Sequence, residues 1–572
     1  MKEKLEVLVR EALTTLGVEV GEILIEYPAD PTHGDYATSA ALVYAKKAGM
    51  SPRKLAGDLV VEMLREPTEE IANIEVAGPG FINFHLSGKY FADALASALA
   101  LGDAWGTNEI LKGKKVMVEY TDPNPFKEFH IGHLMSNTIG ESIARIIEAD
   151  GAETKRACYQ GDIGMHVAKA VWGMMWTPAE GDKPKIPADD APLMEKIAFL
   201  ARSYAYGAAA FEARPEEKLE IVGINKKIYE CSDEQIYKLY LWGRAVSLEY
   251  FDTIYNKLGT KFDYFFFESE TGEFGRDVVQ KNPKIFEEGE GGAVVYKGDE
   301  SKGLHTRVFI NANGLPTYEA KELGLAKTKF EKYPYDTSIV ITGNEVNAYF
   351  KVLLDAMAKV FPDLAAKTIH ISHGMLRLPT GKMSSRTGDV ITAESLIADV
   401  KERVTEKIKN DTLSDVEKEQ LSEQVAIGAI KYSILRQASG KDIIFDFDQS
   451  LSFEGDSGPY LQYTYARTRS LLAKAGDKKV DPLVAHAHTL ELHKQILRFP
   501  EAVLRASGER YEPHHIATYL IELAREFNGF YGSTVVLDDA ADESYKLSLV
   551  KATSQTIKKG LELLGIPTPE RM

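Results

Sequence analysis

The spacing of apolar and polar positions divides the chain into four stretches. In the first hundred residues, helical spacing over Met1–Leu16, Tyr36–Lys47 and Ser51–Arg65 alternates with strand-like runs at Glu22–Tyr27, Ile74–Val76 and Phe81–His85. This predicts a small α+β domain over residues 1–108. Gly78-Pro79-Gly80 supplies a turn between its last two strands, and Pro52 stands at a helix start, where its missing N–H is not needed. From Lys115 the pattern changes to a short apolar run, Val116–Tyr120, then a Pro/Asn turn, then a helix from about Gly132 to Asp150. Strand, loop and helix in that order open a parallel α/β sheet, whose ligands sit at the carboxyl ends of strands.

A mixed helical stretch follows over Ala191–Leu258, inside an insertion at about 176–264 that carries no recognisable motif. Strand-like runs return at Ala293–Tyr296 and Val308–Ile310. Units at Ser338–Thr342, Tyr349–Val360 and Thr368–Ser372 read as the second half of the sheet, which closes a domain over 109–395. Beyond Ala393 nearly all the spacing is helical, giving a connector over 396–450 and a bundle over 451–572. The expected fold class is α/β: a Rossmann-like parallel-sheet domain with an N-terminal α+β domain and a C-terminal all-α helical bundle domain.

Composition narrows the class without changing this picture. With 44% hydrophobic and 27% charged residues the chain has ordinary globular composition, which excludes disordered, collagen-like and coiled-coil classes. The longest nearly uncharged small-apolar run, Ala94–Gly102, falls well short of the roughly 20 residues of a membrane span, so no membrane partner is expected. The opening helix has mixed charge and does not resemble a secretory leader. Cys158 and Cys231 are far apart with no CxxC pair, so neither a disulfide framework nor a thiolate zinc site is indicated, and a cytoplasmic location is expected. The net charge of -17 argues against unspecific polyanion affinity. Residues 451–572, however, are nearly neutral, with 15 Lys and Arg against 16 Asp and Glu. Any nucleic-acid contact must therefore use local patches.

Two segments carry chemistry. His130-Ile131-Gly132-His133 follows the first strand at a helix start, where free backbone N–H groups favour phosphate and Gly132 permits close approach. Imidazole N–H groups aimed at a pentavalent phosphorus would stabilise charge that develops only in the transition state. About 250 residues later, Gly381-Lys382-Met383-Ser384-Ser385-Arg386-Thr387-Gly388 is a Gly-flanked loop with two cations and three hydroxyls, suited to close over a triphosphate.

HxGH after the first strand and KMSS after the last resemble class I aminoacyl-tRNA synthetases. Within that class, Val118–His133 (VEYTDPNPFKEFHIGH) and Tyr159–Gly164 (YQGDIG) resemble the arginyl-tRNA synthetase family. So do the N-terminal runs at 34–56 and 76–84, and the C-terminal runs SGPYLQYTYARTRSLLAKA from Ser457 and LAREFNGFYGSTVVL from Leu523. The resemblance implies an arginine-tRNA ligase that uses ATP as substrate, with Mg²⁺ as MgATP and no dedicated protein metal site. Its partners would be tRNA(Arg), L-arginine and ATP, and the chain is expected to be a monomer. Residues 1–108 would bind the tRNA body and 451–572 the anticodon arm.

By position, the resemblance assigns His130, His133, Lys382 and Lys127 to catalysis. ATP would meet His130, Gly132, His133, Lys382, Ser384 and Met375. Arginine would meet Glu119, Asn124, Tyr318, Glu322 and Asn344. A guanidinium is a rigid fork of donors that cannot be deprotonated, so carboxylates and an aromatic face suit it. Tyr318 and Glu322, one helical turn apart, would offer both from one face. Two positions depart from the family pattern: Asn344 stands where Gln is common, and Ser385 replaces the second loop lysine. Lys127, three residues before His130, would supply the missing charge from the opposite wall.

Overall fold

The computed structural model describes residues 1–572 except 29, 67, 177–185, 378–390, 409–412, 484–489 and 509. The chain forms two compact units. One comprises Met1–Trp105, Ser470–Phe499 and Arg525–Thr556; the other comprises Gly106–Arg469, Pro500–Ala524 and Ile557–Met572.

In the first unit an antiparallel four-stranded sheet of Ile25–Glu26, Tyr36–Thr38, Phe81–Leu86 and Ile71–Ala77 packs against helices Lys2–Thr15, Ala40–Ala48 and Pro52–Met63. Residues 36–38, expected to begin a helix, are a strand instead. Tyr36 and Thr38 turn inward, Thr38 Oγ1 donates to the Leu24 carbonyl at 2.7 Å, and Tyr36 pairs with Phe84. Ser39 then begins the helix. Near the end of the same unit, His493 is buried between two elements: its Nε2 donates to the Phe91 carbonyl at 2.9 Å and its Nδ1 accepts from Tyr545 Oη at 3.0 Å.

The second unit is built on a five-stranded parallel sheet: β1 (Lys115–Glu119), β2 (Glu153–Gln160), β3 (Tyr264–Phe267), β4 (Thr337–Gly343) and β5 (Thr368–His373), in the order β5-β4-β1-β2-β3. The central strand reads as a continuous apolar run because helices cover both faces; Val116, Met117 and Val118 are all buried. Strand order reverses between β1 and β4, and such a switch point opens a crevice at the carboxyl ends. Helix α1 (Ile131–Ala149) leaves β1, and α2 (Glu234–Leu258) closes the insertion. Helix α3 (Glu268–Lys281) follows β3, and α4 (Tyr318–Lys332) precedes β4. The strands at 294–296 and 307–310 do not join this sheet. With Glu287–Glu288 they form a separate antiparallel sheet of three strands.

Beneath the crevice lies a buried charge network. Glu141 on α1 accepts from Tyr120 Oη at 2.5 Å, from Arg145 Nε at 2.7 Å and from Arg156 Nε at 3.0 Å. Glu141→Ala should therefore destabilise this unit by about 1 to 3 kcal/mol: the Tyr120 hydroxyl and Arg145 Nε lose their acceptor, while Arg156 keeps its ion pair with Glu148. Chemical denaturation monitored by fluorescence measures this. In the other unit, burial pushes the His493 ring down to about 4. A base whose folded value lies below its unfolded value contributes stability above about pH 6.5. That contribution is lost as pH falls from there toward 4. Thermal midpoints across that window should fall less steeply for His493→Gln than for the parent chain.

Candidate active site

A cavity of about 560 Å³ opens at the switch point, lined by the ends of β1, β2, β4 and β5 and the starts of α1, α3 and α4. The turn that leaves β1 is strained. Thr121, Asp122 and Phe126 all have positive φ (82°, 46° and 68°), a conformation costly for side-chain-bearing residues, above all for β-branched Thr. Buried hydrogen bonds hold it. Thr121 N donates to Ser136 Oγ at 2.9 Å, Asn137 Nδ2 donates to Thr121 Oγ1 at 3.0 Å, and Tyr159 N donates to Asp122 Oδ1 at 2.7 Å.

At the far side of this turn the two histidines cap α1 reciprocally. Gly132 N donates to His130 Nδ1 at 3.1 Å and His130 N donates to His133 Nδ1 at 3.3 Å, with the rings stacked at 3.6 Å. Because each Nδ1 is an acceptor, the proton of each neutral ring resides on Nε2. Burial, then Lys127, hold His130 below its ordinary value. Burial, then His130 and Lys127, push His133 well below its own. Both rings are thus neutral Nε2–H donors at pH 7. Lys127 is half-buried, with its ammonium 5.5 Å from the centre of the Tyr204 ring. Burial and Lys169 lower its pKa, and among the described residues no carboxylate pairs with it.

The opposite end of the cavity is acidic. Glu119, Asp122, Glu268, Glu319 and Glu322 line it, while Glu345 lines the cavity where its charge acts on His130 and His373; the single lining Lys or Arg among the described residues is Arg307. Two of these carboxylates are neutralised from behind by α4: Lys329 donates to Glu119 at 2.7 Å and Lys321 to Glu268 at 2.6 Å, all four side chains being nearly solvent-free. Glu322 has no such partner among the described residues. Burial, then Glu119, push its carboxyl well above the usual range, and the same two causes act on Asp122. Tyr318 stands at the rim, 59% exposed, on the same α4 face as Glu322. Asn124 lines the wall, with its Oδ1 packed against Gly161, where a Cβ would come within 2.3 Å.

The sequence-derived residues Glu119, Asn124, His130, Gly132, His133, Tyr318 and Glu322 therefore share one cavity. Asn344 does not line it; its neighbours Gly343 and Glu345 do. Met375 is also absent from the lining, with its N–H bonded to Asp442 Oδ1 at 2.9 Å and its carbonyl to Ile443 N at 2.8 Å, while His373 lines the wall instead. Lys382 and Ser384 lie outside the described residues. The residues just after that loop do reach the site: Ile131 N donates to the Ile391 carbonyl at 3.2 Å and Ala393 N to the Phe129 carbonyl at 2.8 Å. Sequence reasoning missed Asp122, Glu268, Tyr349 and the two buried lysines. Lys329 had a readable signal, since it falls two helical turns beyond Glu322 on one face. Among the described residues one group could hold a metal ion, Glu512, His514 and His515, and none of these lines the cavity.

Comparison with known proteins agrees with this geometry. Residues 95–447 match the family described as tRNA synthetases class I (R), catalytic domain. Residues 3–86 match the arginyl tRNA synthetase N terminal domain, and 461–572 the DALR anticodon binding domain. The chain is 31% identical over 583 residues to an arginine–tRNA ligase of Halothermothrix orenii, covering 100% of this chain and 99% of the relative. It is 31% identical over 574 residues to that of Clostridium acetobutylicum, covering 98% of each. In structure it is similar to arginyl-tRNA synthetase of Thermus thermophilus, with TM-score 0.78, 25% identity and 100% of both chains covered. With a cavity that joins two imidazole donors at a helix start to a carboxylate-rich end, and with family matches along nearly its whole length, the chain belongs to the arginyl-tRNA synthetase family.

Proposed function

We propose that the cavity joins arginine to the α-phosphate of ATP and then passes the arginyl group to the terminal ribose of tRNA(Arg). The observation that carries this reading is its two-ended polarity: neutral Nε2–H donors at one end, with Lys127 outside the lining but near enough for its charge to act on both rings, and carboxylates without a cationic partner among the described residues at the other. Glu322, crowded by burial and by Glu119, gains most from a guanidinium, which supplies a fork of donors to a carboxylate otherwise costly to charge. Tyr318 offers the ring for stacking, and Asn124 Oδ1 an acceptor for the α-ammonium. Glu119, neutralised by Lys329, fixes the strand end and remains an acceptor for the arginine.

A carboxylate oxygen of arginine attacks the α-phosphorus and the bond to the bridging oxygen breaks, releasing diphosphate. The tRNA hydroxyl then attacks the arginyl carbonyl and AMP departs. His130 and His133 donate to the oxygens on which charge accumulates. Mg²⁺ enters with ATP as part of the substrate, and Lys382 and Ser384 would meet the departing diphosphate. Lys127 would replace the cation that Ser385 does not supply. Residues 1–108 and 451–572 would hold the tRNA body and anticodon arm, and we place the reaction in the cytoplasm, on a monomeric enzyme.

Charging assays across the amino acids test the reading as a whole, and efficient charging with lysine but not arginine would refute it. Lys127→Ala should slow adenylate formation by on the order of a hundredfold, the scale of one charged donor lost from a desolvated site. Adding Ser385→Lys should restore part of that rate in single-turnover activation with tRNA present. Glu322→Gln should weaken arginine binding by about 1.5 to 3 kcal/mol, as expected for a hydrogen bond to a charged group, with ATP affinity unchanged. Calorimetric titration of each substrate separates the two.

A further inference from the structure

The insertion that carries no motif ends in α2, and one face of this helix grips both loops of the amino-acid end of the cavity. Tyr240, Gly243, Arg244 and Ser247 fall at i, i+3, i+4 and i+7, and so lie on that face. Arg244 Nε donates to Asp162 Oδ2 at 2.8 Å while its guanidinium lies 3.9 Å from the centre of the Phe267 ring. Asp162, with no exposed side-chain surface, also accepts from Tyr240 Oη at 3.1 Å, Ser269 N at 2.9 Å and Ser269 Oγ at 2.7 Å. A single carboxylate thus joins α2 to the first turn of α3, where backbone N–H groups favour an anion.

The residue before it is Gly161, the seat of Asn124 Oδ1, and Glu268 Oε1 would stand 3.3 Å from a Cβ at that position. Three residues further along α2, Ser247 Oγ accepts from Phe126 N at 2.9 Å and donates to the Gly243 carbonyl at 2.8 Å. The Phe126 ring fills the space where a Gly243 Cβ would fall, 2.2 Å away. Phe126 is the left-handed residue two positions after Asn124. The chain on either side of Asn124's seat is thereby fixed by one helix face. None of these contacts involves His130, Gly132 or His133.

We propose that Arg244 is a positioning residue for the amino acid: through Asp162 and Gly161 it sets where Asn124 and Glu268 stand, and so governs affinity for arginine without governing affinity for ATP. The proposal rests on the reading that Asn124 holds the α-amino group. A misplacement of about 1 Å can cost on the order of a hundredfold, so Arg244→Gln should raise the arginine KM by roughly 10- to 100-fold while the ATP KM stays within about twofold. Arg244→Lys should recover part of the loss, since an ammonium can pair with Asp162 but cannot stack or fork in the same way. Ser247→Ala should move arginine KM in the same direction by less. Lys238→Ala, at an exposed pair on the same helix, should change nothing.

Steady-state charging of tRNA with each variant, alongside melting temperatures and the Asn124→Ala single and double variants, decides the matter. On the proposal, Arg244→Gln costs less in the Asn124→Ala background than alone, because the two act on one contact. Parallel rises in arginine and ATP KM that track a lowered melting temperature, with no recovery by Lys, would reduce Arg244 to a stabilising residue and overturn it. Additive costs would overturn it as well. If Asn124→Ala by itself leaves arginine KM unchanged, the fault lies in the reading of Asn124. Should Arg244→Gln fail to fold, Arg244→Lys and Ser247→Ala carry the same comparison.

Discussion

The strained turn that leaves β1 is the constraint on which the site depends. Three residues with side chains occupy the left-handed region within six positions, at a cost of about 1 to 3 kcal/mol each. They persist because the surroundings over-determine them: Ser136 and Asn137 from α1, Tyr159 from β2 and Ser247 from α2 each supply or receive a buried hydrogen bond. The strain is useful because a relaxed chain would enter α1 directly. The contorted one turns Asn124 toward Gly161 and the carboxylates, and still delivers His130 to the helix start with its backbone N–H free to bind His133.

Electrostatics divides the cavity into two halves with opposite needs. ATP brings a polyanion into a cavity lined by six carboxylates, and arginine brings two cationic groups and a carboxylate into one that also holds three imidazoles, those of His130, His133 and His373. The buried pairs Lys329–Glu119 and Lys321–Glu268 reconcile these needs by cancelling two charges without giving up the acceptors' positions. Removing one partner of such a pair is far costlier than never having built it. The remaining imbalance centres on Glu322 and Asp122, whose carboxyls are hard to ionise in desolvated surroundings and easier to ionise beside a guanidinium or ammonium.

Much of this is legible in the order of residues. The short run Val116–Tyr120, the Pro/Asn turn and the long helix identify a parallel-sheet opening because the change of period marks where strand gives way to helix. His130, Gly132 and His133 stand where a helix start must put them, and Tyr318 and Glu322 share a face because helical geometry is local. Less local features are not readable. Tyr36–Thr38 continues a helical pattern but is recruited into a sheet by Leu24 and Phe84, partners distant in sequence. The strand-like runs at 294–296 and 307–310 carry the same signal as sheet strands, and only pairing decides that they form a sheet of their own.

The amino-acid sequence by itself determined the class of chemistry and the identity of the groups at the imidazole end, because those groups stand on one contiguous turn and helix start. Tertiary structure alone decided how the carboxylate-rich end is assembled. Glu119 and Lys329 are 210 residues apart, and Phe126 and Ser247 are 121 apart. Each such pair forms only because folding brings its members into the same desolvated space, where an unpaired charge or a strained amide is too costly to leave alone. No spacing rule reaches across such intervals, so the scaffold role of the insertion helix, the neutralising lysines and the seat of Asn124 on Gly161 become visible only when the chain is closed on itself.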